Sequence, residues 1–251
     1  LSKLPPKSTS RSVRAFLRSD VGRVRQVNED RCAVSGSDGS PTNWSGELAA
    51  DAGWALLADG MGGHVAGEIA AALAIEVLRP LMPYIRTVKD VQRAVNLADE
   101  AIFMAMRMRP ELHGMGTTIA GAVTGQGVTL TFNAGDSRVY AIDRGVLRQT
   151  STDDKTRSGA LMQCLGGYAE PVPIHVHTQW IDLEQDILLC SDGVTDLLSD
   201  VRIAEVLAEP PGDPAEAIVS AALAAGGHDN TSVIFLKRRN TDVTRGFLRY
   251  S

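Results

Sequence analysis

Apolar residues recur along this chain in two periods, and the places where one gives way to the other outline its elements. "VRAFLRSDVGRVRQVNEDRCAV", Val13 to Val34, reads as two strand-like pieces joined by a polar turn carrying Asp20 and Gly22. Residues 35–53, "SGSDGSPTNWSGELAADAG", are dense in turn formers and predict a long exposed hairpin loop. Trp54 to Ala58 is a short buried strand that climbs to Asp59 and a glycine loop. Beyond that loop Ile69, Leu73 and Val77, with Leu78 and Leu81, repeat at helical spacing. A second helix is predicted from about Val88 to Met108, ending near Pro110.

The period then changes to two. "GTTIAGAVTGQGVTLTFNAGDSRVYAIDRGVLRQTS" contains four strands separated by "TGQG", "AGDS" and "DRG" turns, the pattern of an antiparallel meander. "DILLCS" is a further strand ending at Asp192, two helices follow near 200–208 and 213–225, and "TSVIFLK" closes the domain. Strands that cluster, rather than alternating with helices, predict an α+β fold of antiparallel sheets flanked by helices.

Length and composition narrow the function classes. At 251 residues the chain fits one large domain with a substantial core. A formal net charge of −5 offers no general attraction to nucleic acid or to an anionic membrane, so a phosphate-bearing partner would have to be gripped locally. The apolar-rich stretch from Ile69 to Met82 is broken by Glu76, Arg79 and Pro80 and does not resemble a membrane span. "LSKLPPKSTSRS" at the start lacks an apolar core of signal-peptide length and reads as a flexible tail. Cys32, Cys164 and Cys190 are far apart and odd in number, which points to a reducing cytoplasm.

Five acids share one context, each bordering an apolar strand beside a turn residue. They are Asp30 in "NEDRCAV", Asp59 in "LLADGMGG", Asp136 in "NAGDSRVY", Asp192 in "LLCSDGVTD" and Asp229 in "GGHDNTSVIF". A carboxylate at a buried strand end needs a partner: a metal ion, a basic residue or the amides of the glycine loop. Adjacent strands could bring these ends together, and clustered carboxylates repel unless a cation neutralises them. Oxygen ligands without a Cys or His cluster select Mg²⁺ or Mn²⁺ over Zn²⁺. Gly60, lacking a side chain, would let its carbonyl approach an ion. Two ions about 3.5–4 Å apart can activate a water and stabilise in-line displacement at phosphorus. Phosphate monoesters, whose hydrolysis needs accelerations up to about 10²¹-fold, call for such a centre.

The blocks "VRQVNED", "LLADGMGGHVAGE", "GMGTT", "AGDSRVY", "LMQCLGG", "LLCSDGVTD" and "GGHDNTSVI", in that order, resemble the bacterial metal-dependent protein serine/threonine phosphatases, the PPM or type 2C family. The resemblance implies a four-layer α-β-β-α sandwich with the metals at one end between the sheets. It also implies hydrolysis of phosphoserine and phosphothreonine in proteins by a hydroxide bridging two Mn²⁺ or Mg²⁺ ions. By position, Asp59 would bridge both ions, the Gly60 carbonyl would bind one, and Asp192 and Asp229 the other. Asp30, with Glu29, would hold metal-bound waters. Arg25 would clamp the substrate phosphate, as a planar guanidinium suits bidentate recognition. His64 would donate a proton to the departing seryl oxygen, or serve only the loop's hydrogen bonding. Asn230 would orient Asp229, although an Asx turn explains it equally well. Asp136 resembles the ligand of a third, weaker ion shared with Asp192. Here the chain departs from its relatives: where they carry a longer mobile flap it has only "KTRSG", and Ser158 takes no assigned role.

The same resemblance implies residues 13–238 as the catalytic domain, with tails at 1–12 and 239–251. It implies a bacterial cytoplasmic enzyme whose partners are phosphoproteins and a serine/threonine kinase that it opposes; the chain is expected to be a monomer, and its charge and lack of an apolar span predict no nucleic-acid or membrane partner. His175 and His177 read as exposed strand histidines rather than a zinc site, and Cys190 as buried and inert. The methionines of "IFMAMRMR" read as core filling, with a partner groove as the other reading. Two other functions compete. A nucleotide-binding module would use "GMGG" to cradle phosphate, but the loop is neither G-x-G-x-x-G nor a P-loop and Asp59 would repel the ligand. A weak or inactive family member would act as a phosphoprotein-binding regulatory module, yet no core acid is missing.

Overall fold

The computed structural model describes residues 12–62, 66–125, 127–182, 184–208 and 212–238. Residues 1–11 and 239–251, which hold nearly all of the two assigned tails, lie outside that set. In chain order the elements are β1 (Ser12–Asp20), β2 (Arg31–Val34), β3 (Asn43–Ala49), β4 (Trp54–Ala58), β5 (Gly60–Met61), α1 (Ala66–Leu78), α2 (Val88–Met108), β6 (Gly116–Thr117), β7 (Ile119–Thr124) and β8 (Val128–Ala134). They continue with β9 (Arg138–Asp143), β10 (Val146–Gln149), β11 (Leu165–Gly166), β12 (His177–Asp182), β13 (Asp186–Cys190), α3 (Asp192–Thr195), α4 (Asp200–Ala208), α5 (Pro214–Ala224) and β14 (Thr231–Arg238).

Two antiparallel sheets form the centre, one of six strands in the order β10-β9-β13-β14-β1-β3 and one of five in the order β12-β8-β7-β4-β2. Alternation along the fully buried strands explains the layering. In β4, Ala55 and Leu57 face the other sheet beside Leu17, Leu189 and Ile234, whereas Trp54, Leu56 and Ala58 face α1 and α2. In β14, Ile234 and Leu236 point between the sheets while Val233 and Phe235 meet Ile203, Ile218 and Ala222 of α4 and α5. Strands covered on both faces become continuous apolar runs, as the α-β-β-α order requires. No described helix is long and apolar enough to cross a membrane.

Helix α2 starts at a capping box in which the Thr87 hydroxyl accepts from the Asp90 amide (3.3 Å) and Asp90 Oδ2 accepts from the Thr87 amide (2.8 Å). Its buried Asp99 accepts from the Gly166 amide (2.7 Å) and so holds β11 beside β6 and β5 in a small third sheet under the glycine loop. Helix α1 is buried chiefly through Ala66, Ala70, Ala71, Ala74, Ile75 and Leu78, and the Ile69–Leu73–Val77 stripe packs only partly against the core. Small side chains on the inner face let the helix axis come close to its neighbours.

Four expectations need correction. Residues 35–53 are not all loop, because Asn43–Ala49 forms β3, the edge strand beside β1. Its mostly exposed residues carry no strong apolar signal. The four-strand meander is two separate hairpins: β7 and β8 belong to the five-stranded sheet, β9 and β10 to the six-stranded one. The chain changes sheets at "AGDS", where Gly135 adopts φ +107° and a Cβ would press on Thr118 Cγ2 at 2.7 Å. His177 is not exposed; it opens β12 partly buried, its Nε2 3.0 Å from Asp154 Oδ1, with the His175 ring edge-on at 4.9 Å. Of the three methionines only Met106 fills the core, while Met104 and Met108 are exposed by 61% and 77%.

Candidate active site

The strand-end acids converge on one end of the sandwich. Asp59 follows β4, Asp30 precedes β2, Asp136 lies in the crossover from β8 to β9, Asp192 follows β13 as the first residue of α3, and Asp229 precedes β14. The antiparallel registers Arg31↔Ala58, Cys190↔Val233 and Cys190↔Arg138 put these termini side by side.

The backbone of Asp59 is fixed by the "GTT" block. Its amide donates to the Thr118 hydroxyl (3.2 Å), and its carbonyl accepts from the Thr118 amide and the Thr117 hydroxyl, both at 2.9 Å. Thr118 also shares a 2.7 Å hydrogen bond with Ser137, tying this turn to the one that carries Asp136. Gly60 is pressed between backbones: a Cβ there would collide with the Gly67 carbonyl and lie 2.8 Å from the Glu29 carbonyl oxygen. Only glycine lets α1 close down on the loop.

Opposite, Asn230 stitches the segment from Val21 to Glu29 to the start of β14. Its Nδ2 donates to the carbonyls of Val21 and Val27, both at 2.9 Å, and its Oδ1 accepts from the Glu29 amide at 2.8 Å. The Asn230 backbone amide reaches Asp229 Oδ1 (2.8 Å). The side chain thus clamps the loop carrying Arg25, Glu29 and Asp30, and the contact with Asp229 comes from the main chain. Ser191 donates to Asp30 Oδ2 (2.9 Å) and accepts from the Ser232 amide (3.0 Å).

Burial and crowding raise the pKa of three of the acids, Asp30, Asp59 and Asp192. Loss of hydration, then Asp192 and Asp229, push Asp30 up to about 7 against the hydrogen bonds from Ser232 and Ser191. Burial and Asp136 push Asp192 up to about 6, with Lys155 pulling the other way. Asp59 is driven well above the usual carboxylate range by burial and then by Asp30, Asp192, Asp136 and Asp229.

Two bases answer this charge. Arg25 Nη2 lies 2.6 Å from Asp229 Oδ2 at the rim, with half of its side chain exposed. Lys155 Nζ lies 2.8 Å from Asp136 Oδ2, 3.6 Å from Asp196 Oδ1 and 3.7 Å from Asp192 Oδ2. Burial opposes the charge on Lys155, but these acids outweigh it and hold its pKa above the usual lysine value. No three His, Cys, Asp or Glu side chains among the described residues form a closed ligand set.

The donor chemistry nonetheless fits hard divalent ions. Asp30 Oδ1 is buried and accepts no hydrogen bond among the described residues, its neighbours are repelling carboxylates, and every side-chain donor is oxygen. Asp30, Asp59, Asp192 and Asp229, with the Gly60 carbonyl, are the residues that could hold such ions. His64 lies outside the described residues. Ser158 is exposed, sharing a 2.8 Å hydrogen bond with Thr156 in a tight turn that Thr156 and Ala160 close. Lys155 and Ser191 carry no signal of their own in the sequence, although Ser191 directly precedes Asp192 in "LLCSDGVTD".

No family model matches the chain. It is 27% identical over 260 residues to the serine/threonine phosphatase stp of Listeria monocytogenes serotype 4b, covering 92% of this chain and 98% of that protein. It is 32% identical over 248 residues to the serine/threonine protein phosphatase PstP of Mycobacterium tuberculosis, covering 88% of this chain and 44% of that longer protein. The crystal structure of M. tuberculosis PstP superposes with a TM-score of 0.75 at 30% identity, covering 91% of this chain and 100% of the crystallised one. The PstP catalytic domain in complex with 2 manganese ions superposes with a TM-score of 0.74 at 31% identity, again covering 91% and 100%. Identity at this level across a whole crystallised phosphatase domain, joined to the same two-sheet architecture, shows that the chain belongs to the PPM, or type 2C, family of bacterial metal-dependent serine/threonine protein phosphatases.

Proposed function

We propose that this chain hydrolyses phosphoserine and phosphothreonine in proteins, with residues 13–238 as its catalytic domain, and that it opposes a serine/threonine kinase in a reducing cytoplasm as a monomer. The observation that carries the reading is the convergence of Asp30, Asp59, Asp192 and Asp229 at one mouth, where burial and mutual repulsion raise the first three above the ordinary carboxylate range. Two Mn²⁺ or Mg²⁺ ions held there would supply Lewis-acid charge and lower the pKa of water for attack at phosphorus.

The chain's own residues do the rest. Asp59 is held rigid by Thr117 and Thr118, so its carboxylate can be presented at fixed geometry. Arg25 stands at the rim on Asp229, 2.6 Å away, and can exchange that carboxylate for the phosphate of an incoming phosphoresidue. Asn230 keeps the loop bearing Arg25 in place. His64 is assigned as proton donor to the leaving seryl oxygen. Chain-wide charge does not recruit substrate; local cations at the mouth do.

The test is hydrolysis of p-nitrophenyl phosphate and a phosphothreonine peptide by metal-stripped protein given Mn²⁺, Mg²⁺ or EDTA, beside Asp59→Ala. Activity restored by metal and missing from the variant supports the reading. A folded wild type that stays inactive with every metal would refute it and favour a phosphoprotein-binding module.

A further inference from the structure

We propose that Lys155 is a resident cation for the corner formed by Asp136, Asp196 and the Oδ2 side of Asp192, so that in the wild-type protein no ion beyond the proposed pair binds there and removing the amine opens an additional divalent-cation site. The inference concerns the acidic mouth treated above and assigns a role to a residue the family pattern leaves out.

The corner is crowded with negative charge, and one ammonium answers it. Nζ lies within 3.7 Å of oxygens from all three carboxylates, and its hydrogen bond to Asp136 is 2.8 Å. Asp136 is almost fully buried, with 7% of its side chain exposed, and is therefore not neutralised by bulk solvent. A divalent ion such as Mg²⁺ on the same oxygens, at about 2.0–2.1 Å, would lie against the ammonium and be repelled by it. Either the lysine or the ion can occupy the corner.

Lys155 is also delivered there by an anchored backbone. Asp154 accepts from the Gly135 amide (2.8 Å), Gln163 (2.9 Å) and pairs with His177 (3.0 Å), while its own main chain bonds Gly135 and Met162. Asp153 Oδ2 accepts from Nη2 (2.7 Å) and Nε (2.9 Å) along one edge of the Arg138 guanidinium, and Asp153 Oδ1 accepts from Gln149 (2.7 Å). Lys155 itself bridges to Leu161 in an antiparallel pair across the short turn. The alternation of a partly buried anchor at Asp154 with an inward cation at Lys155 sends the amine to the acids by construction of the pedestal, whereas an unanchored surface lysine would spend its side-chain entropy in water. The short "KTRSG" segment and the lysine belong together: what a longer segment could supply in ligands, this one replaces with charge.

The experiment compares the number of Mn²⁺ ions bound by the wild-type chain and Lys155→Met, which keeps the aliphatic stem and loses the charge. Metal-stripped proteins are titrated with Mn²⁺ into the millimolar range, and free Mn²⁺ is followed by electron paramagnetic resonance. Lys155→Met is expected to bind one more ion than wild type, and Lys155→Met/Asp136→Asn to return to the wild-type number. Equal numbers in wild type and Lys155→Met, or an additional ion that persists in the double variant, would overturn the assignment. Lys155→Ala gives the same comparison if the methionine variant does not fold. The difference between variant and wild type tests this inference, and the wild type's own number tests the two-ion reading, so either can fail alone.

Discussion

Replacing Asp30 with asparagine should stabilise the metal-free protein by an amount that grows with pH. In the unfolded chain Asp30 ionises near 3.8, and in the folded protein near 7. Between those values the folded state keeps a proton that the unfolded state has released, so stability is complete below about pH 4 and is lost as pH rises through 7. At about 1.4 kcal/mol per unit, the full loss is about 4 kcal/mol, most of which accrues above pH 5. Asparagine removes this term. It keeps an acceptor for Ser191, which lies 2.9 Å from Oδ2, and adds an NH₂ whose cost does not vary with pH. The variant should therefore gain about 2–3 kcal/mol on wild type between pH 5 and pH 8, read from urea unfolding in EDTA at both pH values. Saturating Mn²⁺ should reverse the order, since an ion at 100 times its Kd stabilises by about 2.7 kcal/mol and the variant loses a ligand. A variant-to-wild-type difference that is the same at pH 5 and pH 8 would refute the electrostatic argument for the whole mouth.

Other substitutions separate the roles of individual residues. Arg25→Ala should raise KM for a phosphoprotein several-fold with kcat little changed; a fall in kcat at constant KM would place the contact in the transition state instead. Asn230→Ala leaves the Val21 and Val27 carbonyls and the Glu29 amide without their partner. It should cost about 2–4 kcal/mol in urea unfolding and speed amide hydrogen exchange within 21–29, and unchanged exchange there would count against the clamp. Gly60→Ala drives a methyl group into the Gly67 backbone and should cost at least about 2–3 kcal/mol, visible as a lowered Tm even with EDTA present, whereas a Tm loss seen only with metal would mean that the effect lies in ion binding.

Much of the molecule was legible in local pattern. The buried strands, both long helices and the position of each strand-end acid follow from hydrophobic period and turn chemistry, because these report how each short segment meets water. The ordered motif blocks carried the family and the four-layer architecture. Pairing was another matter. "NWSGELA" became a strand only because β1 offers it an edge, and "AGDS" turned from a hairpin into a passage between sheets because Gly135 fits against Thr118. Neither decision lies in the segments themselves.

The same division runs through the site. Chain chemistry determined that carboxylates end the strands, since a short apolar run closed by Asp and Gly is a local arrangement. Which charges those carboxylates meet was decided by the fold. Lys155 belongs to no motif, yet a pedestal built from Asp153, Asp154, Gln163 and His177 aims it at Asp136, Asp192 and Asp196. Asn230 looked like a neighbour of Asp229 and instead fastens a loop some 200 positions away in sequence. Hydrophobic period is a property of neighbouring residues, whereas charge compensation and buried hydrogen bonding depend on distances through space, which only the closed tertiary structure sets.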